Sequence, residues 1–330
     1  MTLGRHLTTF LLIASLLTLF MACLLGATPL GPDRVVQTLF GAGTPGDTVV
    51  IWQIRMPRAL AAYAVGAALG LSGAALQGLL RNPLAEPGVL GVTASAALGA
   101  TFALYYGLVS FSAWVLPVAA ISGALIATII IAIAAIKVQS VITLILIGVG
   151  LSSFSAALMS LLMNLAPNPF ALSDMLNWML GSVANRSLDD LYFAGPFLAI
   201  GFVILLATRD GLSALTLGEE GASGIGLDLR RQRIFVIIGT GLLTGAAVSI
   251  AGAIGFIGII VPHIIRPMVR HDPARSLLPS ALLAGIGLVL ADILVRTVPS
   301  TSELKLGVVM ALIGAPAFVW IAMRGRTLDD

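Results

Sequence analysis

The sequence predicts an all-α, polytopic membrane protein of about ten transmembrane helices. Three observations carry this expectation. The 330 residues are 58% hydrophobic and only 10% charged, where a soluble domain carries roughly 25% charged residues. Mean hydropathy is +1.05. Apolar runs of about 20 residues, long enough to cross a hydrocarbon core, recur along the whole chain. Inside a bilayer the backbone must satisfy its own hydrogen bonds, so each run becomes a helix. The recurrence leaves no room for a second globular unit, and residues 1–330 read as a single transmembrane domain.

The first run, residues 7–26, is longer than a secretory-signal core and reads as an uncleaved first span. Phe20-Met-Ala-Cys23 faintly resembles a lipoprotein cleavage box. Cys23 is nevertheless read as an apolar residue of that span, and as the only cysteine it permits no intramolecular disulfide. A polar stretch punctuated by Pro and Gly, residues 28–58, leads to span two at 59–80. The loop 81–88 leads to span three at 89–108. Span four is 113–136 and span five 141–165. A mixed interval, 166–190, holds a short amphipathic piece near 171–180, and span six is 191–208. Span seven is 234–250. Span eight, roughly 254–269, is short and expected to break at Pro262. Spans nine and ten are 277–295 and 304–323.

Basic residues set the orientation. With the N-terminus inside, Arg5, Arg81, Lys137, Arg209, Arg230, Arg231, Arg233, Arg266, Arg270, Arg275, Arg324 and Arg326 are cytoplasmic. Arg34, Arg55, Arg58, Arg186, Arg296 and Lys305 are outside, so twelve face six and both termini are expected in the cytoplasm. Span two carries Gly66, Gly70, Ala74 and Gly78, a four-residue stripe that lets a second helix approach closely and places the span in the bundle interior. Spans two and seven each run from a small-residue helix into a Pro- or Gly-rich break and a short segment. That pattern predicts an inverted repeat of spans two to five against seven to ten, with the pathway between them.

Residues 209–233 are the longest polar interval. They hold the acids Glu219 and Glu220, the glycines Gly218, Gly221, Gly224 and Gly226, and the basic exit Arg230, Arg231 and Arg233. The glycines predict two short helices joined by tight turns. Such a surface suits docking onto another protein.

Several chemistries are excluded. The two lysines, Lys137 and Lys305, follow no glycine, so there is no phosphate-cradling Gly-Lys-Ser/Thr loop. His6, His263 and His271 lack partners at ligand spacing, so no metal site is expected. No nucleophile–base set stands out, and no catalytic residue is expected. A net charge of +3 without a long basic run implies no nucleic acid. Among the few intramembrane charges, Asp292 precedes Arg296 by one helical turn and reads as holding it at the outer mouth. The spans offer little for proton coupling, which implies an external energy source.

The motifs Arg55-Met-Pro-Arg58, Gly66-Ala-Ala-Leu-Gly-Leu-Ser-Gly-Ala-Ala-Leu-Gln77, Asn82-Pro-Leu-Ala-Glu-Pro-Gly88 and Leu217-Gly-Glu come first in order. Ala251-Gly-Ala-Ile-Gly-Phe-Ile-Gly258, Val261-Pro-His-Ile-Ile-Arg266, Ala291-Asp-Ile-Leu-Val-Arg296 and Leu312-Ile-Gly-Ala-Pro-Ala-Phe318 follow. Together they resemble the permease subunits of FecCD-type ABC importers for iron chelates and cobalamin. The resemblance implies ten spans, a homodimer around a central pathway, two ATP-binding cassette subunits and a periplasmic binding protein, in the inner membrane. It implies no cofactor in this chain, since ATP and Mg bind the partner ATPase.

By the same resemblance, residues 209–233 match the coupling helices, with Leu217, Gly218, Glu219, Glu220, Gly221, Gly224 and Gly226 at the ATPase. Arg55 and Arg296 match outer arginines that dock the binding protein. Arg58, about one turn below Arg55, reads from its position alone as anchoring the helix at the headgroups. Asn82, Leu84, Val141 and Ile142 fall where the family narrows the cytoplasmic end, with Val141 and Ile142 as an apolar gate. Lys305 departs from the family's usual proline. The leading expectation is import of a siderophore or haem. Cobalamin is a close alternative, and a stand-alone channel or secondary transporter is the competing class.

Overall fold

The structure, a computed structural model, describes residues 2–26, 30–138, 140–298 and 303–325. Arg326, counted above on the cytoplasmic side, lies outside the described residues. Among the described residues every regular element is helical. The helices are α1 (Thr2–Leu24), α2 (Pro32–Leu39), α3 (Pro45–Thr48), α4 (Met56–Leu80), α5 (Val92–Tyr105), α6 (Val115–Lys137), α7 (Val141–Asn164) and α8 (Pro169–Met179). They continue with α9 (Leu188–Ala207), α10 (Arg209–Ala214), α11 (Gly218–Gly224), α12 (Leu229–Ala251), α13 (Ile257–Met268), α14 (Pro273–Thr297) and α15 (Leu306–Gly325).

A helix occupies each of the ten expected places. Seven are long and apolar enough to cross a membrane, while α5, α13 and the described apolar part of α15 are shorter. Polar caps set several starts. Ser140 accepts from the Thr143 amide to open α7, Asn168 from Ala171 to open α8, and Asp228 from Arg231 to open α12. Ser187 and Asp190 form a capping box at α9.

Span two departs from the expectation at its start. The helix is continuous from Pro45 to Leu80, 36 residues, through ground assigned above to a polar stretch. Residues 49–55 are π-helical, and the Met56 amide bonds to the Ile51 carbonyl five residues back. Pro57 explains the wide turn. It has no N–H for an α-type bond, and its ring crowds the carbonyl four residues earlier, so the backbone loosens rather than ends.

Pro262 does not break span eight either, because α13 runs through both Pro262 and Pro267. The carbonyl that Pro262 leaves without its helical donor belongs to Gly258. Gln77, almost fully buried on α4, turns its Nε2 toward it at 3.4 Å and toward the Ile259 carbonyl at 3.3 Å. The break comes earlier, at residues 252–256, where Gly252 has φ +70° and Phe256 φ +68°. The matching break after α4 is a 3₁₀ turn over Pro87–Leu90 closed by Gly91 at φ +78°.

The packing carries the repeat. α4 packs along α14, and α12 packs along α6; span two against nine and span seven against four are the same pairing with the halves exchanged. α4 and α12 touch each other at the centre, while α13 crosses α4 as α5 crosses α12. α4 and α12 are the most buried spans, with 83% and 78% of their apolar windows inside; α7 and α9 stand at the periphery with 17%.

The small-residue stripe of α4 does what its spacing requires. A Cβ on Gly66 would strike the Ala284 backbone, and one on Gly70 would come within 2.5 Å of the Ser280 carbonyl oxygen, both on α14. Gly73 faces the Gly258 backbone of α13 equally closely. Gly70→Ala is expected to lower stability by about 1–3 kcal/mol, the usual cost of overpacking. Gly150→Ala on α7 meets nothing within 4 Å and should stay within about 0.5 kcal/mol. Thermal unfolding in detergent distinguishes them, and equal midpoints would contradict the helix contact.

Candidate functional site

Three places in the fold gather polar groups. At one end, α1, α4 and α14 meet around Asp292, which has no exposed surface. Arg58 donates to both its oxygens, from Nε at 3.0 and 3.1 Å and from Nη2 at 2.8 Å, and Nη2 also pairs with Glu303. The Nε of Arg296 lies 3.2 Å from Asp292 as an ion pair. Its Nη2 donates to the Ala22 carbonyl at 3.3 Å. Arg55 donates from Nη1 to the carbonyls of Cys23 at 2.6 Å and Leu24 at 2.9 Å. These carbonyls close the last turn of α1, where helical donors have run out and cations are favoured.

Arg55 and Arg296, expected to dock a binding protein at the outer mouth, do not stand out from this fold as exposed heads. Arg55 is 4% exposed and bonds to α1, while the Arg296 side chain, 9% exposed, is shared between Asp292 and α1. Arg58, expected at the headgroups, is instead the main partner of Asp292. Sequence reasoning missed this because a guanidinium that reaches water and one that caps a neighbouring helix look alike in one dimension.

At the other place, the polar interval forms the two expected short helices, α10 and α11, joined by a 3₁₀ turn over Leu215–Leu217 and by Gly218 at φ +86°. Its base is closed twice. Gln232 donates to the Thr208 carbonyl at 2.9 Å, tying the start of α12 to the end of α9. Arg233, buried, pairs with Glu219 at 2.7 Å. Ser213 donates to Asp272 at 2.7 Å and links α10 to the N-cap of α14. The outer surface is left free: Glu220 and Gly224 are exposed, Leu217 is 63% and Ile225 67% exposed. Gly221 is half-buried and Gly226 exposed at φ +94°.

The third place lies between the two helix breaks. Glu86 accepts from the Phe256 amide at 3.4 Å, across a cavity of about 180 Å³ that Leu69, Pro87, Thr93 and Ile254 help to line. Glu86 appeared in the sequence only as one letter of a motif; an acid inside an apolar run was the signal available. Nearby in sequence, Asn82 accepts from the Leu84 amide at 2.9 Å and stabilises the turn that ends α4. Asn82 is exposed and Leu84 half-buried. Val141 and Ile142 form the first turn of α7, Val141 half-buried and Ile142 71% exposed.

The comparisons agree with this architecture. The model of the FecCD transport family matches residues 11–324. The chain is 39% identical over 298 residues to the uncharacterized ABC transporter permease protein YvrB of Bacillus subtilis, covering 87% of this chain and 84% of that one. It is 38% identical over 289 residues to the vitamin B12 import system permease protein BtuC of Citrobacter koseri, covering 86% and 87%. A solved structure assigned to the metal-chelate type of ABC transporter, in an inward-facing conformation, has a TM-score of 0.88 at 31% identity over 97% of this chain and 99% of that one. A bundle of apolar helices, with short broken ones in matching positions and a family match across nearly its whole length, leaves one assignment: the chain belongs to the FecCD transport family, as a membrane permease subunit of ABC importers and not an enzyme.

Proposed function

We propose that this permease moves an iron chelate, a siderophore or haem, from periplasm to cytoplasm. It does so as a homodimer in the inner membrane, loaded by a periplasmic binding protein and driven by two ATP-binding cassette subunits. The observation that carries the reading is the face of α7. No charged residue occurs between Val141 and Asn164, and Ile142, Leu146, Val149 and Phe154 are exposed. Two such faces across a dimer make a wide, weakly binding wall, which a large preassembled ligand needs and a bare ion does not. Cobalamin, itself a large metal chelate, is the second reading. Relatives named as vitamin B12 permeases at 38–40% identity favour it.

In this assembly residues 209–233 meet the ATPase on the cytoplasmic side, where both termini also lie. Leu217, Glu220, Gly224 and Ile225 form the contact surface. Gly218, Gly221 and Gly226 shape the turns, and Glu219 fixes the segment to α12. The chain holds no cofactor of its own; ATP and Mg belong to the ATPase. Asn82, Leu84, Val141 and Ile142 narrow the cytoplasmic end, and Val141 and Ile142 supply the apolar constriction that dewets. The binding protein docks at the end that carries Asp292.

Proteoliposomes containing the permease, its ATPase and its binding protein test the substrate. ATP-dependent uptake of a ferric siderophore or haem, about tenfold or more above cobalamin, is the expected result. The reverse ratio selects cobalamin, and solute flux without the ATPase overturns the importer reading.

Gly224→Trp should cut uptake by about tenfold, the loss expected at one contact of hot-spot size, with normal amounts of folded permease. A Cβ there meets nothing within 4 Å, so normal uptake would remove Gly224 from the interface. Ile142→Cys should crosslink across the dimer under oxidant in at least one nucleotide state. The native Cys23 is fully buried and supplies no competing thiol; failure in every state would exclude Ile142 from the gate. Arg55→Glu should destabilise the permease itself by about 3–5 kcal/mol, as breaking a buried charge contact does, because the α1 carbonyls lose their donor. A variant that unfolds like the wild type would restore the reading of Arg55 as a free head.

A further inference from the structure

A larger cavity lies elsewhere, at the connection between α8 and α9. Its volume is about 360 Å³. Leu104 at the end of α5 and Ala251 and Gly252 at the end of α12 give it an apolar floor, while Trp178, Arg186 and Lys305 bring nitrogen donors. Lys305 follows Glu303, the partner of Arg58, by two residues, so the cavity and the Asp292 cluster are joined through one short segment.

The walls are fixed. The Ser182 amide donates to the Ala251 carbonyl at 2.8 Å, and the Gly307 amide to the Gly181 carbonyl at 3.2 Å. The α8–α9 connection is thus pinned to the break after α12 on one side and to the start of α15 on the other. The donors within these walls are not used up. The Nε1 of Trp178 and the Nε of Arg186 are both buried without a hydrogen-bond partner. Arg186 has one acid nearby, Asp190, at a loose 4.0 Å, and Asp190 is already held by the Ser187 cap. Burial pulls the Arg186 guanidinium below its ordinary value, and Asp190 opposes this only in part. Lys305 makes no ion pair among the described residues. Asp174, the one acid among the lining residues, is exposed to solvent.

The Nε of Arg186, the indole N–H of Trp178 and the Lys305 ammonium leave donor capacity around a pinned cavity that an anion would fill, since Asp190 takes only part of Arg186. A carboxylate or phosphate suits the Nε edge of a guanidinium, which presents two parallel donors. A buried donor left unmade costs about 1–3 kcal/mol, so the site gains from any ligand that supplies the acceptors. We propose that this cavity receives an anionic arm of the transported chelate, a carboxylate or a phosphate, held between Arg186 and Lys305 with Trp178 as a further donor. The inference rests on the importer reading above and narrows it to chelates that carry a free negative group.

Trp178 reports on the site. In full-length permease with Trp52, Trp114 and Trp320 replaced by Phe, citrate should shift Trp178 emission saturably. Arg186→Gln with Lys305→Gln should raise the apparent Kd by about tenfold, equivalent to ~1.4 kcal/mol. In proteoliposomes with ATPase and binding protein, the double variant should lose uptake of ferric citrate by a similar factor and keep that of ferrichrome, whose ferric hydroxamate core is uncharged. Lys305→Gln alone, which breaks no ion pair, gives a partial loss of the same sign if the double variant folds poorly. Three results overturn the proposal. Citrate could leave wild-type Trp178 emission unchanged. Both chelates could lose uptake equally. The loss could reside in binding-protein affinity, in which case an acidic side chain of that protein is the occupant. If the wild type carries neither chelate, the iron-chelate reading fails, and the fluorescence titration still judges the cavity by itself.

Discussion

Lipid chains are as apolar as leucine, so helices in a bilayer gain nothing by hiding apolar surface from one another. They associate through close packing and through polar contacts. α4 meets this demand with missing side chains. Gly66 and Gly70 admit the backbone of α14, and Gly73 admits that of α13. The closeness then makes a second contact available. Gln77, one turn beyond Gly73, reaches the carbonyl that Pro262 leaves without its helical donor. Pro262 is tolerated because α4 is thin enough to stand against it.

The same thin helix explains how the halves are arranged. α4 and α12 are central, and each half lends its outer helix to the other half's inner one, α14 to α4 and α6 to α12. The two breaks face one another, and Glu86 bridges them to the Phe256 amide. Irregular backbone at this depth is possible only because protein, not lipid, surrounds it. An aromatic residue held at φ +68° costs energy there, which the packing of both halves must exceed. Phe256 also lies against Gly314 of α15, where a Cβ would strike its ring.

Much of this was legible in the sequence, for stated reasons. Apolar runs of about 20 residues are too long for barrel strands and must become helices in a bilayer, so the ten places could be read directly, as could the short helix α8. The stripe of α4 and the two-helix form of residues 209–233 followed from glycine spacing. Two local errors came from proline. Pro57 and Pro262 both disturb a helix on paper; one produces a π turn and the other is rescued by a side chain 185 positions earlier in the chain. Among the arginine side chains around Asp292, only the pairing of Arg296 with it was legible, from its one-turn spacing. Arg55, Arg58 and Arg296 converge on α1 and on one buried carboxylate, an arrangement that depends on three helices crossing and leaves no periodic trace. Trp178, Arg186 and Lys305 escaped for the same reason, since 127 residues separate the first from the last along the chain.

The pair between Arg233 and Glu219 has a mechanical meaning. Residues 209–233 leave the bundle at Thr208 and return to it through Gln232 and Arg233, so the loop is a closed clasp whose two ends share one anchorage. A rigid body pressing on its free tip cannot simply bend it back. The load goes through Arg233 into the stem of α12, and through Ser213 and Asp272 into α14. Those two helices are the ones that grip α4. The clasp is thus a lever whose short arm ends in the core, and the one ion pair among its three closures has a Glu219 side chain about one-third exposed. Added salt would soften such a lever before it loosened the bundle, because screening reaches exposed charges first.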